Sequence, residues 1–261
     1  MNQQDVRAAA EMLLQHWRQS TRLDQLPAQC RPATRAEGYA IQAELAQLSG
    51  QNIVGWKIAA TSKAGQQHIR VDGPIAGPLL SARAREGGAR IALAGNNMKV
   101  AEAEFAFRMG GDLPKRATSY SVEEVLAAVA TLHPAIEVPD SRYEDFTRVG
   151  APQLIADVAC ACWFVIGPEV HADWRARDLV QHAVAACRNG APAGQGSGAN
   201  VLGDPRVALA WIANELCTYG EGLRAGEVVI TGTCVTPVPV AAGDSVRMDF
   251  GEFGVLELGF G

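Results

Sequence analysis

The first fifty residues show a helical pattern of hydrophobic and polar positions. Near the N-terminus the apolar side chains recur at helix spacing and form one stripe, made of Val6, Ala10, Leu13, Leu14 and Trp17. Thr34 and Glu37 have the spacing of a capping box, which predicts the start of a second helix that ends at Gly50. The pattern therefore predicts a helical N-terminal arm over residues 1–52.

From residue 53 onward the pattern changes to short apolar runs interrupted by Gly, Pro and Asn, which is typical of all-β or α+β proteins. Strands are predicted at residues 55–60, 100–108, 135–138, 160–166, 228–231, 245–250 and 254–258. We expect these strands to form one β-rich domain over residues 53–261. The predicted fold class is α+β, with the arm and the domain forming one structural unit.

Two helices are expected to interrupt the strands. A capping box at Ser121 and Glu124 predicts a helix that runs to about residue 132. Asp204 followed by Pro205 is an N-cap with proline at the first helical position, and this helix should end at Gly220.

The Asn189-Gly190 pair is a strong hairpin signal, so it predicts a tight turn between residues 180–188 and a short following strand. The glycine-rich segment 190–198 lacks the lysine of a phosphate-binding Walker loop and the strand–helix setting of a dinucleotide site. We interpret most of this segment as a loop.

Composition and charge narrow the class of protein. The chain has 261 residues, of which 48% are hydrophobic and 20% charged, as in an ordinary globular protein. A net charge of −5 argues against partners recognised by bulk electrostatics, namely nucleic acid and acidic membrane surfaces. No apolar stretch approaches the ~20 residues of a transmembrane helix, and no signal peptide precedes the first helix. We therefore expect a cytoplasmic protein.

The chain has six cysteines, none of them in a CxxC pair. In a chain of this size they are expected to be reduced, buried side chains. A nucleophilic cysteine stays open as an alternative, with Cys234 as its best candidate.

Three glutamates form the strongest candidate site. Glu102 and Glu104 are one residue apart, so on a strand both carboxylates lie on one face, about 7 Å apart at Cα. Glu137 lies in a second apolar run. Buried carboxylates need a partner, and an oxygen-only set without His or Cys suits Mg²⁺, Mn²⁺ or Ca²⁺. The alternative, a solvated face of a half-buried strand, is equally compatible with the pattern.

Other residues are candidates for proton transfer and substrate binding. Lys57 lies inside an apolar run, where burial would lower its pKa and suit it to acid/base catalysis, although a surface lysine is the alternative. Asp72 is in a turn sequence and could direct its carboxylate into a site. Arg142 could bind a substrate carboxylate, or it could pair internally with Asp140. The Gly- and Thr-rich turn at residues 231–237 exposes backbone N–H groups and hydroxyls that could hold an anion, although an ordinary strand end is the favoured alternative.

Several segments in order along the chain resemble one known family. They are Gly55-Trp-Lys-Ile-Ala-Ala-Thr-Ser-Lys63, Glu102-Ala-Glu104-Phe-Ala-Phe107, Ala135-Ile-Glu-Val-Pro-Asp-Ser-Arg142, Leu202-Gly-Asp-Pro205 and Leu223-Arg-Ala-Gly-Glu-Val-Val-Ile-Thr-Gly232. Together they resemble the 2-keto-4-pentenoate hydratase / 4-oxalocrotonate decarboxylase branch of the fumarylacetoacetate hydrolase superfamily. The resemblance extends from about residue 5 to the end of the chain.

The resemblance implies a mixed β-roll with a helical N-terminal part, a homo-oligomer, and a Mg²⁺ or Mn²⁺ ion held by Glu102, Glu104 and Glu137. Lys57 and Asp72 match acid/base or substrate-orienting positions. The resemblance also implies substrate contacts for a set of four residues, Ser62, Arg142, Asp157 and Thr233. One departure concerns the stretch after Asp157, where the branch commonly has Asn and this chain has Val158.

The implied reaction is hydration of a 2-hydroxy-2,4-dienoate, or its 2-oxo tautomer, to a 4-hydroxy-2-oxo acid, as in the meta-cleavage catabolism of aromatic compounds. Decarboxylation of a vinylogous 2-oxo diacid is the first alternative, because the same enolate-stabilising site serves both reactions. A carbon–carbon hydrolase of acylpyruvate type and a non-catalytic partner subunit are weaker alternatives.

Overall fold

Six helices and fifteen strands build the chain, and the computed structural model describes all residues 1–261. The helices are α1 Gln3–Gln19, α2 Arg35–Ser49, α3 Lys63–His68, α4 Val122–Ala127, α5 Ala151–Ala156 and α6 Pro205–Tyr219. The strands are β1 Ile53–Ala59, β2 Ile75–Leu80, β3 Ala84–Arg85, β4 Arg90–Ile91, β5 Val100–Met109, β6 Leu113–Pro114, β7 Val129–Val138, β8 Trp163–Ile166, β9 Ala183–Arg188, β10 Ala191–Ser197, β11 Gly222–Leu223, β12 Val228–Thr233, β13 Val238–Pro239, β14 Ser245–Asp249 and β15 Val255–Phe260. No helix is both long enough and apolar enough to cross a membrane.

The main sheet is mixed, with the strand order β2-β1-β12-β5-β7-β8-β3 and β13 paired to β5. Strand β12 runs parallel to β1 and antiparallel to β5, and β5 is antiparallel to β7. A second sheet has the order β10-β9-β14-β15-β4, and β11 and β6 form a small separate pair. This arrangement is the α+β, β-rich fold that the sequence predicts.

The two faces of β5 have different surroundings. Ala101, Ala103 and Phe105 are fully buried in the main hydrophobic core, which also contains apolar residues of the second sheet. Alternation along the strand places Glu102 and Glu104 on the opposite face. The two carboxylates therefore lie on the face of β5 opposite the main core, although Glu104 is fully buried.

The N-terminal helices have a core cluster of their own. The apolar stripe of α1, which includes Leu13, packs with α2 residues such as Leu45. The same cluster contains Tyr143 and Val158, which belong to segments following β7 and α5. The predicted division into an arm and a catalytic domain stays a prediction, but the packing connects the helices to the surroundings of the glutamates.

Three predicted elements differ from the observed ones. Helix α4 ends at Ala127 instead of near residue 132, because the following residues pair with β5 and make β7 ten residues long. Strand β8 begins at Trp163 and not at residue 160, since Val158, Ala159 and Cys160 have positive φ angles that no strand accommodates.

The glycine-rich segment after residue 190 forms β10 instead of a loop. It pairs with β9 across the Asn189-Gly190 turn, in agreement with the predicted hairpin. All six cysteines are free, and all of them are buried as expected except Cys187, which is half-buried.

Candidate metal and proton-transfer site

The three glutamates converge at the pairing of β5 and β7. Glu102 lies directly opposite Glu137 in the antiparallel register, and Glu104 lies two residues further along β5 on the same face. One carboxylate oxygen from each residue lies within 4.8 Å of the other two. The carboxylates are thus close enough to share one cation.

The electrostatics of this group are unfavourable without a cation. Burial raises the pKa of Glu102 to about 7, with a further contribution from the negative charge of Glu137. Burial and the two neighbouring acids raise the pKa of Glu104 well above its ordinary value, and burial also raises that of Glu137. Each carboxylate is therefore harder to ionise beside the others. A bound cation would lower their pKa values and favour the ionised forms.

Hydrogen bonding leaves room for a metal ligand set. Glu104 Oε2 accepts a hydrogen bond of 2.6 Å from the backbone N–H of Gly232. Glu104 Oε1 and Glu137 Oε1 are buried and accept none. Buried oxygens without donors are rare in folded proteins and call for an explanation such as an ion. The residues present fit a divalent cation that prefers oxygen ligands.

Lys57 lies beside the glutamates on β1. Its Nζ is 3.1 Å from Glu137 Oε2 and donates a 3.1 Å hydrogen bond to the backbone carbonyl of Ala159. Burial lowers the pKa of Lys57, but the attraction of Glu137, Glu102 and Glu104 outweighs burial and raises it above its ordinary value. The sequence-based expectation of a lowered pKa is therefore wrong for this arrangement, because three carboxylates surround the amine.

A cavity of about 570 Å³ opens next to this group. Lys57 and Glu102 lie on its wall, together with Ser62 and Thr233. Ser62 caps α3 by accepting a hydrogen bond from Gly65, and Thr233 Oγ1 donates to the Val235 carbonyl at 2.6 Å. Both hydroxyls thus belong to residues of the cavity wall but already have protein partners.

Most of the remaining cavity wall is apolar or weakly polar. It includes Ile69, Met98, Val100, Phe146 and Val235. Lys57 is the only lysine or arginine among the lining residues, and His68 is the only histidine. The charged part of the cavity is therefore confined to the end that holds the glutamates and Lys57.

The structure does not place Arg142 and Asp157 on the cavity wall, contrary to the substrate-binding role expected of them. Both side chains are fully buried and form an ion pair with each other. The alternative partner considered for Arg142, the carboxylate of Asp140, instead contacts Arg22 at 2.8 Å. With its donors used inside the protein, the guanidinium cannot reach a substrate.

Asp72 also lies outside the cavity. Its carboxylate is exposed to solvent and 3.9 Å from Arg35 Nη1. In this position Asp72 has no contact with the glutamates or Lys57. Its predicted acid/base role therefore stays a prediction.

Sequence reasoning missed several residues of the site. Cys160 and Asn200 line the cavity, and so does Met98, yet none of them belongs to a pattern of charged or paired residues. The predicted anion-binding segment, residues 231–237, did carry a signal, its backbone N–H groups. The anion that Gly232 binds is a carboxylate of the protein itself, Glu104.

Together, the mixed sheet, the carboxylate cluster and the buried lysine define a metal-binding enzyme. The fumarylacetoacetate hydrolase C-terminal family model matches residues 67–260. The chain belongs to the fumarylacetoacetate hydrolase family.

Individual relatives include both predicted enzyme types. A 2-hydroxyhexa-2,4-dienoate hydratase of Comamonas testosteroni is 37% identical over 218 residues, covering 83% of this chain and 81% of that protein. A 4-oxalocrotonate decarboxylase of Pseudomonas sp. CF600 is 32% identical and covers 83% and 82%.

Among solved structures, 4-oxalocrotonate decarboxylase of Pseudomonas putida G7, complexed with magnesium and adipate, has a TM-score of 0.90 at 28% identity. The match covers 100% of this chain and 98% of the decarboxylase chain. These comparisons confirm the family, the fold and the enzyme class predicted from the sequence.

Proposed function

We propose that this protein is a divalent-metal-dependent hydratase that converts a 2-hydroxy-2,4-dienoate into a 4-hydroxy-2-oxo acid. The observation that carries the proposal is the contact of Lys57 Nζ with Glu137 at 3.1 Å, at the cavity end where three carboxylates converge. This arrangement supports a role for Lys57 as a proton carrier beside a cation site at a substrate cavity.

Glu102, Glu104 and Glu137 would hold the ion, which we propose to be Mg²⁺ or Mn²⁺. When bound, such an ion supplies Lewis-acid stabilisation of negative charge on the C2 oxygen and carboxylate of a 2-oxo acid. The remaining steps are proton transfer, for which we propose Lys57, and the addition of water.

In the proposed mechanism Lys57 carries a proton at Nζ, where the ammonium contacts Glu137 Oε2 and donates to the Ala159 carbonyl. The ammonium can deliver this proton to the terminal carbon of the dienol, while the enol hydroxyl proton leaves to water. The product is the 2-oxo-3-enoate, in which the double bond is conjugated to the ketone. Water then adds its oxygen to C4 and a proton to C3, which gives the 4-hydroxy-2-oxo acid.

The cavity wall favours hydration of a monoacid over decarboxylation of a diacid. A diacid carries a second carboxylate away from the metal, and burying it needs a cationic partner. The wall offers no arginine, and its one lysine already contacts Glu137. An apolar tail is a better match for Met98 and Phe146, which lie on this wall.

The experiment compares a 2-hydroxy-2,4-dienoate with a vinylogous 2-oxo diacid in the presence of Mg²⁺ or Mn²⁺. We expect loss of dienoate absorbance without CO₂ release, and a Lys57→Met variant with kcat lowered by about 10² to 10⁴. Release of CO₂ from the diacid as the faster reaction would instead support the decarboxylase. A homo-oligomer and a cytoplasmic location belong to the same proposal, and light scattering of the purified protein tests the former.

A further inference from the structure

Arg142 and Asp157 form a hydrogen-bonded unit beneath the site. The Asp157 carboxylate accepts hydrogen bonds from Ser141 Oγ at 2.7 Å, from the Arg142 backbone N–H at 3.0 Å and from Arg142 Nε. The guanidinium lies 4.4 Å from the ring centre of Trp17. Arg142, Ser141 and Asp157 are all fully buried. So many contacts around one carboxylate fix the position of the chain at residue 157.

The guanidinium holds both ends of the turn that follows. Arg142 Nη2 donates to the Asp157 carbonyl at the start of the turn, and Nη1 donates to the Ala161 carbonyl at its end, at 3.3 Å. Between these anchors, Val158, Ala159 and Cys160 have φ angles of 47°, 50° and 62°.

Three consecutive left-handed residues without a glycine are unfavourable, and a β-branched valine is the worst suited of them. Such a conformation persists only when the surroundings impose it. The two anchors hold the ends of the turn, and within it the Cys160 carbonyl accepts a hydrogen bond from the Asp140 backbone N–H at 2.9 Å.

The middle of this turn contacts the reactive lysine. Ala159 presents its carbonyl to Lys57 Nζ at 3.1 Å, and Cys160 forms part of the cavity wall. On the other side, β2 approaches so closely that a Cβ on Gly77 would lie 2.0 Å from the Val158 carbonyl oxygen. A turn that relaxed toward right-handed angles would move the Ala159 carbonyl away from Lys57.

We propose that Arg142 and Asp157 are positioning residues for Lys57: by holding residues 158–160 left-handed, they keep the Ala159 carbonyl in place to orient Nζ toward the substrate. This inference rests on the proposed role of Lys57 in proton transfer. It assigns to Arg142 and Asp157 a function that requires no contact with substrate or metal.

The test combines Asp157→Asn with Val158→Asn. Asp157→Asn keeps the shape of the side chain but removes the charge that holds the guanidinium. We expect kcat to fall about 10- to 100-fold, the scale of a misplaced catalytic group. KM and the Mg²⁺ dissociation constant should stay within about twofold, because neither residue touches the cavity or the glutamates.

Adding Val158→Asn should then recover at least half of the lost kcat, on a logarithmic scale, because asparagine adopts left-handed angles far more readily than valine. A merely structural role of Asp157 would not be corrected by a second change that replaces a buried apolar side chain.

Leu45→Ala is the matched control. Leu45 lies in α2 and is fully buried in the core cluster of the N-terminal helices, which also contains Val158. It should lower the melting temperature without changing kcat per folded protein. If Asp157→Asn fails to fold, Ser141→Ala removes one of the hydrogen bonds to the carboxylate and should lower kcat about threefold.

Unchanged kcat in the variant that folds, or no recovery by Val158→Asn in the Asp157→Asn background, overturns the proposal. Full activity of Lys57→Met would instead overturn the proton-transfer role of Lys57, and with it the proposed function. The two failures are therefore distinguishable.

Discussion

Glu102 and Glu137 lie directly opposite each other on neighbouring antiparallel strands. Like charges in opposed positions of a sheet destabilise it, so the pair needs a compensating positive charge. Lys57 provides part of that charge through its 3.1 Å contact with Glu137. The remaining buried oxygens, including Glu104 Oε1, have no donor, and this imbalance is the strongest structural argument for a bound cation.

Replacing Glu137 by Gln should therefore weaken divalent-metal binding strongly. Loss of groups that only support metal ligands costs about 10- to 100-fold in affinity, so loss of a ligand should weaken Mg²⁺ binding by at least about 100-fold. Isothermal titration calorimetry measures the effect. Glu227→Gln is the control, because Glu227 is a partly buried acid that binds Trp56 instead of the cluster. Equal Mg²⁺ affinity of Glu137→Gln and the unmodified protein would contradict the assignment.

The raised pKa of Glu102, about 7, predicts a pH-dependent stability of the metal-free protein. An acid whose pKa is raised by folding stabilises the folded state below its unfolded pKa, and this contribution is lost as the pH rises through about 7. In EDTA, Glu102→Gln should therefore be more stable than the unmodified protein at pH 8, by roughly 1 kcal/mol or more, and equally stable near pH 5.

Thermal unfolding at several pH values, with and without Mg²⁺, measures this difference. With saturating Mg²⁺ the order should reverse at pH 8, because the variant has lost a ligand and gains less from metal binding. A stability difference that does not depend on pH would show that Glu102 is not part of a mutually repelling cluster.

The sequence predicts the metal site better than its surroundings, for a physical reason. Period-two spacing places Glu102 and Glu104 on one face, which depends only on local strand geometry. The alignment of Glu137 with Glu102 depends on pairing between strands separated by the α4 segment, and only the family resemblance indicated it. The partner of Arg142 was missed because its contact with Asp157, at the end of α5, depends on tertiary packing. The left-handed turn that follows has no sequence signal either, and Val158 even argues against it.

Gly232 supports the cluster through a backbone that no other residue tolerates. Its φ is +107°, and an added Cβ would lie 2.2 Å from Thr61 Oγ1. Gly232→Ala should therefore displace the N–H that Glu104 accepts, lowering both stability and Mg²⁺ affinity. Gly226→Ala is a matched control, because Gly226 also has a positive φ (+86°) but open space around it.

The control should cost about 1 kcal/mol from its backbone angle alone, without affecting metal binding. Equal Mg²⁺ affinity of the Gly232 and Gly226 variants would show that the hydrogen bond to Glu104 does not matter for the site.

The outer cavity wall has no positively charged side chain, so introducing one there should change the substrate specificity. Met98 is half-buried on this wall, and arginine there could pair with a second carboxylate of a diacid substrate. Because a hydrogen bond to a charged group contributes about 1.5 kcal/mol or more, Met98→Arg should raise the ratio of kcat/KM for diacid to that for monoacid about tenfold. Met98→Gln, of similar length but uncharged, is the control. Parallel changes for both substrates in the arginine variant would mean that the far end of the substrate does not contact this wall.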